Sequence, residues 1–207
     1  MIIYYFQSLM MVIKCTPLIR FWMDTFLLFM VYIVGVSRKD LHIMNSKVKE
    51  LMNQQVTNEL ESAYLYLEFS NFFDSRDLDG YANYYKVQAK EEIDHAMLIY
   101  DYLHKANESV KLMVIHAPSE EYKSIEDVLD AGLKAEKNVT DMINNIYSTA
   151  IKYSDYASKV FMKWFIDEQV EEEYNAQKMI DDYKMFKDNL FDLDKKYLER
   201  KHEKIVV

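Results

Sequence analysis

The chain is poor in the residues that punctuate a β fold, with three glycines and two prolines among 207 residues. A many-stranded protein needs a turn about every ten residues and draws on those residues to make it, so long helices are the expectation instead. One cysteine, Cys15, excludes an intramolecular disulfide and any thiolate-based metal or redox pair. Nothing calls for an oxidising compartment, and the cytoplasm is the expected location. An excess of basic residues is missing too: 25 Lys and Arg face 34 Asp and Glu, a formal net charge of −9. That balance argues against nucleic acid and for solubility or cation binding.

The charge and the apolar residues are unevenly spread. Residues 1–43 hold four Lys/Arg against two Asp and are rich in Ile, Phe, Met and Val, without an amphipathic stripe. This apolar N-terminal extension is set apart from a second region, 44–207. Thr25 to Ser37, an uncharged run of 13 residues, falls short of the ~18–20 that span a bilayer. Asp24 stands before the apolar segment and no Ala-x-Ala-like cleavage site follows it, so a signal peptide is a poor fit. Three readings stay open: a membrane-associating arm, a signal sequence, or upstream DNA translated by mistake with Met44 as the true start. The third is preferred, because helical patterning begins within a few residues of Met44. Membrane contact is expected only if residues 1–43 belong to the native protein.

After Met44 the periodicity of apolar residues marks four long helices and a short fifth. The first runs from about Ser46 to Phe73, with Met52, Val56, Glu59, Ala63, Tyr66 and Ser70 on its inward stripe. A short polar link to Gly80 folds the second helix, about Tyr81 to Lys105, back against it. The inward stripe there reads Tyr81, Tyr85, Gln88, Glu92, His95, Ile99 and Tyr102. Periodicity lapses between about Ala106 and Lys123, a crossover near the upper length for a compact domain. Ser124-Ile-Glu-Asp127 is a capping-box-like start for a third helix reaching about Tyr153, with Leu129, Leu133, Glu136, Val139, Ile143 and Ile146 inward. Ser154-Asp155 opens the fourth, whose face carries Phe161, Phe165, Gln169, Glu172 and Ala176; a short fifth lies near Asp192 to Lys201. The expected fold class is all-α, an antiparallel four-helix bundle with one long crossover between its second and third helices.

Each of the four helices places an acid in its apolar stripe. Glu92 and His95, three residues apart, leave one helix face together, as metal ligands on a bundle helix do. Glu-x-x-His alone is weakly specific, because it arises by chance in many helices. The recurrence of acids gives it weight. Glu59 lies about 15 residues before the first link and Glu92 about 12 after it; Glu136 and Glu172 lie about 18 and 17 residues from the second. At ~1.5 Å per residue the partners in each hairpin come level within a turn. Four buried carboxylates cost several kcal/mol each unless compensated, and two divalent cations carry the charge that cancels them. Misjudged helix rotation could put one or two of these acids in solvent, but hardly all four. Oxygen and imidazole ligands without thiolate suit Fe, Mn or Zn. Tyr66 and Trp164 are oxidisable neighbours, the latter with core packing as its simpler role.

Asn58-Glu59-Leu60-Glu61 with Tyr66, Glu91-Glu92-Ile93-Asp94-His95, Lys134-Ala135-Glu136, and Trp164 through Glu168-Gln169 to Glu171-Glu172-Glu173 resemble the ferritins, most closely the bacterial non-haem ferritins. The likeness runs from about Met44 to Lys201. It implies an iron-storage ferroxidase, a first iron on Glu59, Glu92 and His95, and Glu92 bridging to a second iron on Glu136 and Glu172. Gln169 would lie close by as an O₂-site residue or a weak iron ligand, and Glu91, Glu168 and Glu171 would form a third, transit iron site. Tyr66 matches a tyrosine beside the centre. The resemblance further implies Fe(II) and O₂ or H₂O₂ as reactants, and a hollow homo-oligomeric shell of two dozen subunits. Helix four carries Gln169-x-x-Glu172 where related di-iron proteins have a second Glu-x-x-His. Ile93 stands where bacterioferritin has its haem-ligating Met, so no haem is expected, and one Cys cannot make a rubrerythrin iron domain. A di-iron oxygenase or peroxide-consuming protein without storage, and a metal-free bundle, remain as alternatives.

Overall fold

A computed structural model describes residues 44–203, and the expectations for residues 1–43 lie outside them. Four long helices, α1 (Ser46–Asp74), α2 (Asp79–Lys105), α3 (Ile125–Lys152) and α4 (Tyr156–Phe186), are followed by a 3₁₀ turn, Lys187–Asn189, and the short α5 (Leu190–Leu198). The described residues contain no strand. The α1–α2 and α3–α4 hairpins pack as expected, and the inward stripes are buried except at Leu133, Phe161, Ala176 and Tyr102, which are half-buried.

The helices end without glycine. Asp77, Asn107 and Ser154 adopt left-handed backbone with φ of 57°, 61° and 56°. In each case the next N–H turns back five residues: Leu78 to Phe73 O, Glu108 to Leu103 O and Asp155 to Ala150 O. Short polar side chains tolerate that conformation better than most, which lets these ends close on Asp, Asn and Ser. Starts are capped as well. Asn45 accepts from Lys47 N, Ser124 and Asp127 form a full capping box, and Asp155 accepts from Ser158 N. Asp155 also accepts from Asn45 N at 3.0 Å, tying the starts of α1 and α4 together.

The second helix begins at Asp79, two residues earlier than its apolar stripe suggests, and has no side-chain cap of its own. Asp194 of α5 supplies one, accepting from Gly80 N and Tyr81 N at 2.9 Å each. The close approach requires glycine, since a Cβ at Gly80 would sit 1.7 Å from Asp194 O. The fifth helix also starts earlier and stops earlier than expected, and it lies across α2 and α4 through Leu193 and Tyr197. The crossover follows α1: Lys111 N donates to Asn53 Oδ1 at 2.6 Å, and His116 N donates to Glu61 Oε1 at 3.1 Å.

Two apolar clusters fill the bundle. Phe73 stacks between Tyr81 and Tyr85 in the cluster beside α5, with Phe69 edge-on to Tyr85, and Met52, Ile99, Ile143 and Met162 lie in the other. At ~0.8 kcal/mol per buried methylene these clusters hold the helices in register. Between them sits a polar layer.

Candidate metal centre

Glu59, Glu92, His95, Glu136, Gln169 and Glu172 are each at most 5% exposed. Their placement follows from the helical period: each replaces an apolar residue on an inward stripe, one turn from the next inward position. Glu59, Glu92 and His95 come together, with one ligand atom from each within 4.8 Å of the others, the one such group among the described residues. His95 Nδ1 lies 3.3 Å from Glu92 Oε2. Glu59 Oε1 accepts from Gln55 Nε2 at 3.0 Å, while Glu59 Oε2 and His95 Nε2 are buried with no hydrogen-bond partner.

The other two helices bring a second group. Gln169 Nε2 donates to Glu136 Oε2 at 3.3 Å, and Tyr66 donates its hydroxyl proton to Glu136 Oε1. Gln88 Nε2 donates to Glu172 Oε2 at 2.7 Å. Tyr66, Gln88, Glu136 and Glu172 border a cavity of about 10 Å³, room for one water. Trp164 stands edge-on to the His95 ring at 5.6 Å between centroids.

The electrostatics are those of carboxylates kept from water and crowded together, with His95 as the one basic side chain that eases them. Burial, and then the charge of Glu92, push Glu59 well above the usual carboxyl range. Burial followed by Glu136 does the same to Glu92, and burial followed by Glu136 and Glu92 to Glu172. Burial raises Glu136 too, against hydrogen bonds from Tyr66 and Gln169 that favour its charged form. Burial and mutual repulsion thus favour the protonated forms of these acids over the charged ones. An unpartnered carboxylate oxygen and an unpartnered imidazole nitrogen, at the edge of a buried cluster of acids, are a donor set suited to a hard or borderline divalent cation.

The outer trio is less closely assembled. Glu168 Oε1 lies 3.8 Å from His95 Nε2 and is half-buried; burial raises its carboxyl, His95 lowers it, and the charges of Glu171 and Glu91 raise it. Glu171 is exposed, and Glu91 is paired with Arg200. Four supporting residues, Gln55, Gln88, Thr140 and Arg200, are not singled out by the acid pattern. Gln55 precedes Glu59 by one helical turn and Gln88 precedes Glu92 by one, a repeated spacing that could have flagged both. Thr140, 3.3 Å from Gln169 Nε2, also lies one turn from Glu136. Arg200 carried no local signal at all.

Comparison with known proteins agrees with this architecture. Residues 49–186 match the ferritin-like domain of the ferritin family. A bacterial non-heme ferritin of Staphylococcus saprophyticus is 37% identical over 139 residues, covering 67% of this chain and 83% of the relative. One from Campylobacter jejuni is 30% identical over 143 residues, covering 69% and 86%. Among solved structures, an open pore ferritin from the archaeon Archaeoglobus fulgidus superposes with a TM-score of 0.75 at 33% identity, covering 77% of this chain and all of that one. Fold, buried acid layer and sequence similarity together show that the chain belongs to the ferritin family, whose general business is iron storage.

Proposed function

We propose that the protein is a ferroxidase that oxidises Fe(II) at an intrasubunit di-iron centre and stores the product as ferric mineral inside a multi-subunit shell. The observation that carries the reading is the buried Glu59–Glu92–His95 group, with its unpartnered oxygen and nitrogen, beside Glu136 and Glu172. Glu59, Glu92 and His95 take the first Fe(II), and Glu92 is shared with a second held by Glu136 and Glu172. Gln55 fixes the Glu59 carboxylate with one oxygen free, and Tyr66 and Gln169 orient Glu136 from either side. Each Fe(II) gives one electron to dioxygen or hydrogen peroxide, and Gln169 stands at the side where oxidant arrives. Glu91, Glu168 and Glu171 form an outer iron site reached through His95's neighbour Glu168.

A shell of two dozen copies, without haem and in the cytoplasm, completes the proposal. Among the described residues no helix is long and apolar enough to cross a membrane. Large apolar side chains exposed on α1, α2 and α4, among them Leu67, Met97, Val160 and Val170, favour contacts between copies. The test is aerobic iron loading followed by size-exclusion chromatography and iron assay. A large assembly retaining many irons per chain is expected, with Glu92→Ala oxidising Fe(II) slowly. A small oligomer keeping only a few irons per chain would refute storage, and unchanged oxidation by Glu92→Ala would refute the placement of the centre.

A further inference from the structure

The C-terminal residues after α5 run back along α2 and meet its acids. Arg200 Nη2 donates to Glu91 Oε2 at 2.5 Å, and its guanidinium carbon lies 4.0 Å from the centre of the Tyr84 ring. His202 Nε2 lies 2.9 Å from Asp94 Oδ2 one turn further on. The segment is anchored before it arrives, because Asn83 Nδ2 donates to the backbone oxygens of Tyr197 and Arg200 at 3.1 and 3.0 Å. Arg200 is thus fixed by stacking, by a carboxylate and by its own backbone, with its side chain 22% exposed.

Glu91 belongs to the acidic trio that faces Glu168 and Glu171, whose charges act on one another. That trio adjoins the buried layer at His95, whose Nε2 is 3.8 Å from Glu168 Oε1 and has no hydrogen-bond partner. The unpartnered nitrogen, on a residue 2% exposed, makes this side of the layer a place where a cation is wanted. A guanidinium supplies positive charge to Glu91 already. A planar cation with five fixed donors does so without coordinating, and its Nη1 stays buried and unpartnered.

We propose that Arg200 is a tethered counter-ion that competes with divalent cations for the outer trio, so that Glu91 becomes a metal ligand only when the C-terminal segment lifts away. The inference rests on the ferroxidase reading for the metal concerned, but its competition is between two cations and does not require oxidation. Arg200 acts as a specificity-determining residue: it leaves the buried centre open to Fe(II) while keeping the outer trio weak.

The test is calorimetric titration of the assembled, metal-free protein with Zn(II), and with Fe(II) under anaerobic conditions. Arg200→Gln is expected to tighten the weakest class of sites on the order of tenfold, the effect of freeing one charge-assisted hydrogen bond. Lys201→Gln removes a like charge from the same exposed segment and is expected to bind as the parent does, which separates local competition from general electrostatics. Adding Glu91→Gln to Arg200→Gln is expected to abolish the gain. Equal affinity in parent and Arg200→Gln, an equal gain in Lys201→Gln, or a gain that survives Glu91→Gln overturns the proposal. Fewer than two tight ions per chain in the parent counts against the di-iron reading instead, and the comparison among variants still decides the role of Arg200.

Discussion

Replacing Glu92 by its neutral isostere is expected to make the metal-free protein more stable. Glu92 is 2% exposed, and both burial and the charge of Glu136 lift its carboxyl well above the usual range. Its folded form therefore binds a proton more tightly than its unfolded form does. Folding stability from this group is complete below the ordinary carboxyl value of 4.5 and is lost as pH rises through the raised value. At neutral and alkaline pH the native bundle carries a strained carboxylate or pays to keep it protonated. Glu92→Gln removes that cost while an amide retains volume and can hydrogen-bond Glu59 and His95. Replacing buried ionic groups by well-packed neutral ones ranges from neutral to stabilising by about 1–4 kcal/mol, and the stabilising side is expected here. For a domain of this size, at about 2–4 °C per kcal/mol, that corresponds to a Tm roughly 2–16 °C higher. Calorimetric melting of chelator-treated protein at matched concentration, at about pH 5 and about pH 8, measures it; the gain should be larger at the higher pH. Excess Zn(II) should then narrow or reverse the order, because a ligand at a hundred times its Kd adds about 2.7 kcal/mol to the protein that binds it. A metal-free variant that melts at or below the parent at pH 8, or a gain independent of pH, would refute the reasoning.

The same raised carboxyls predict that divalent cations expel protons on binding near neutral pH. Titration in buffers of differing ionisation enthalpy should show proton release for the parent and less for Glu92→Gln; no buffer dependence would mean the acids are already ionised. Gly80→Ala drives a Cβ into Asp194 O and should cost about 1–3 kcal/mol while loosening α5. Faster limited proteolysis near the 3₁₀ turn at Lys187–Asn189 checks this, and an unchanged cleavage pattern would show that α5 is held elsewhere.

The buried layer was legible because its acids interrupt stripes that are otherwise mainly apolar. Glu59, Glu136 and Glu172 each occupy a position where the helical period demands an apolar side chain, and all are buried. The helix starts were legible where the cap is local, as at Ser124 with Asp127. They were not where the cap is remote. The start of α2 was placed at Tyr81 because nothing near Asp79 signals it, and the capping carboxylate comes from Asp194, 114 residues away from Gly80. Arg200 escaped notice for the same reason, standing 109 residues from Glu91. The outer trio came only from the family resemblance, and its pairing with a basic side chain depends on how α5 turns the chain, which no periodicity records.

The division of the acid layer between two hairpins has a mechanical consequence. Glu59, Glu92 and His95 all stand on α1 and α2, whereas Glu136, Gln169 and Glu172 stand on α3 and α4. The seam between the halves is thus lined at its waist by carboxyls from both sides, bridged there by the Tyr66 hydroxyl and the Gln88 amide. A cation held in common by the two halves would clasp one hairpin to the other at mid-height.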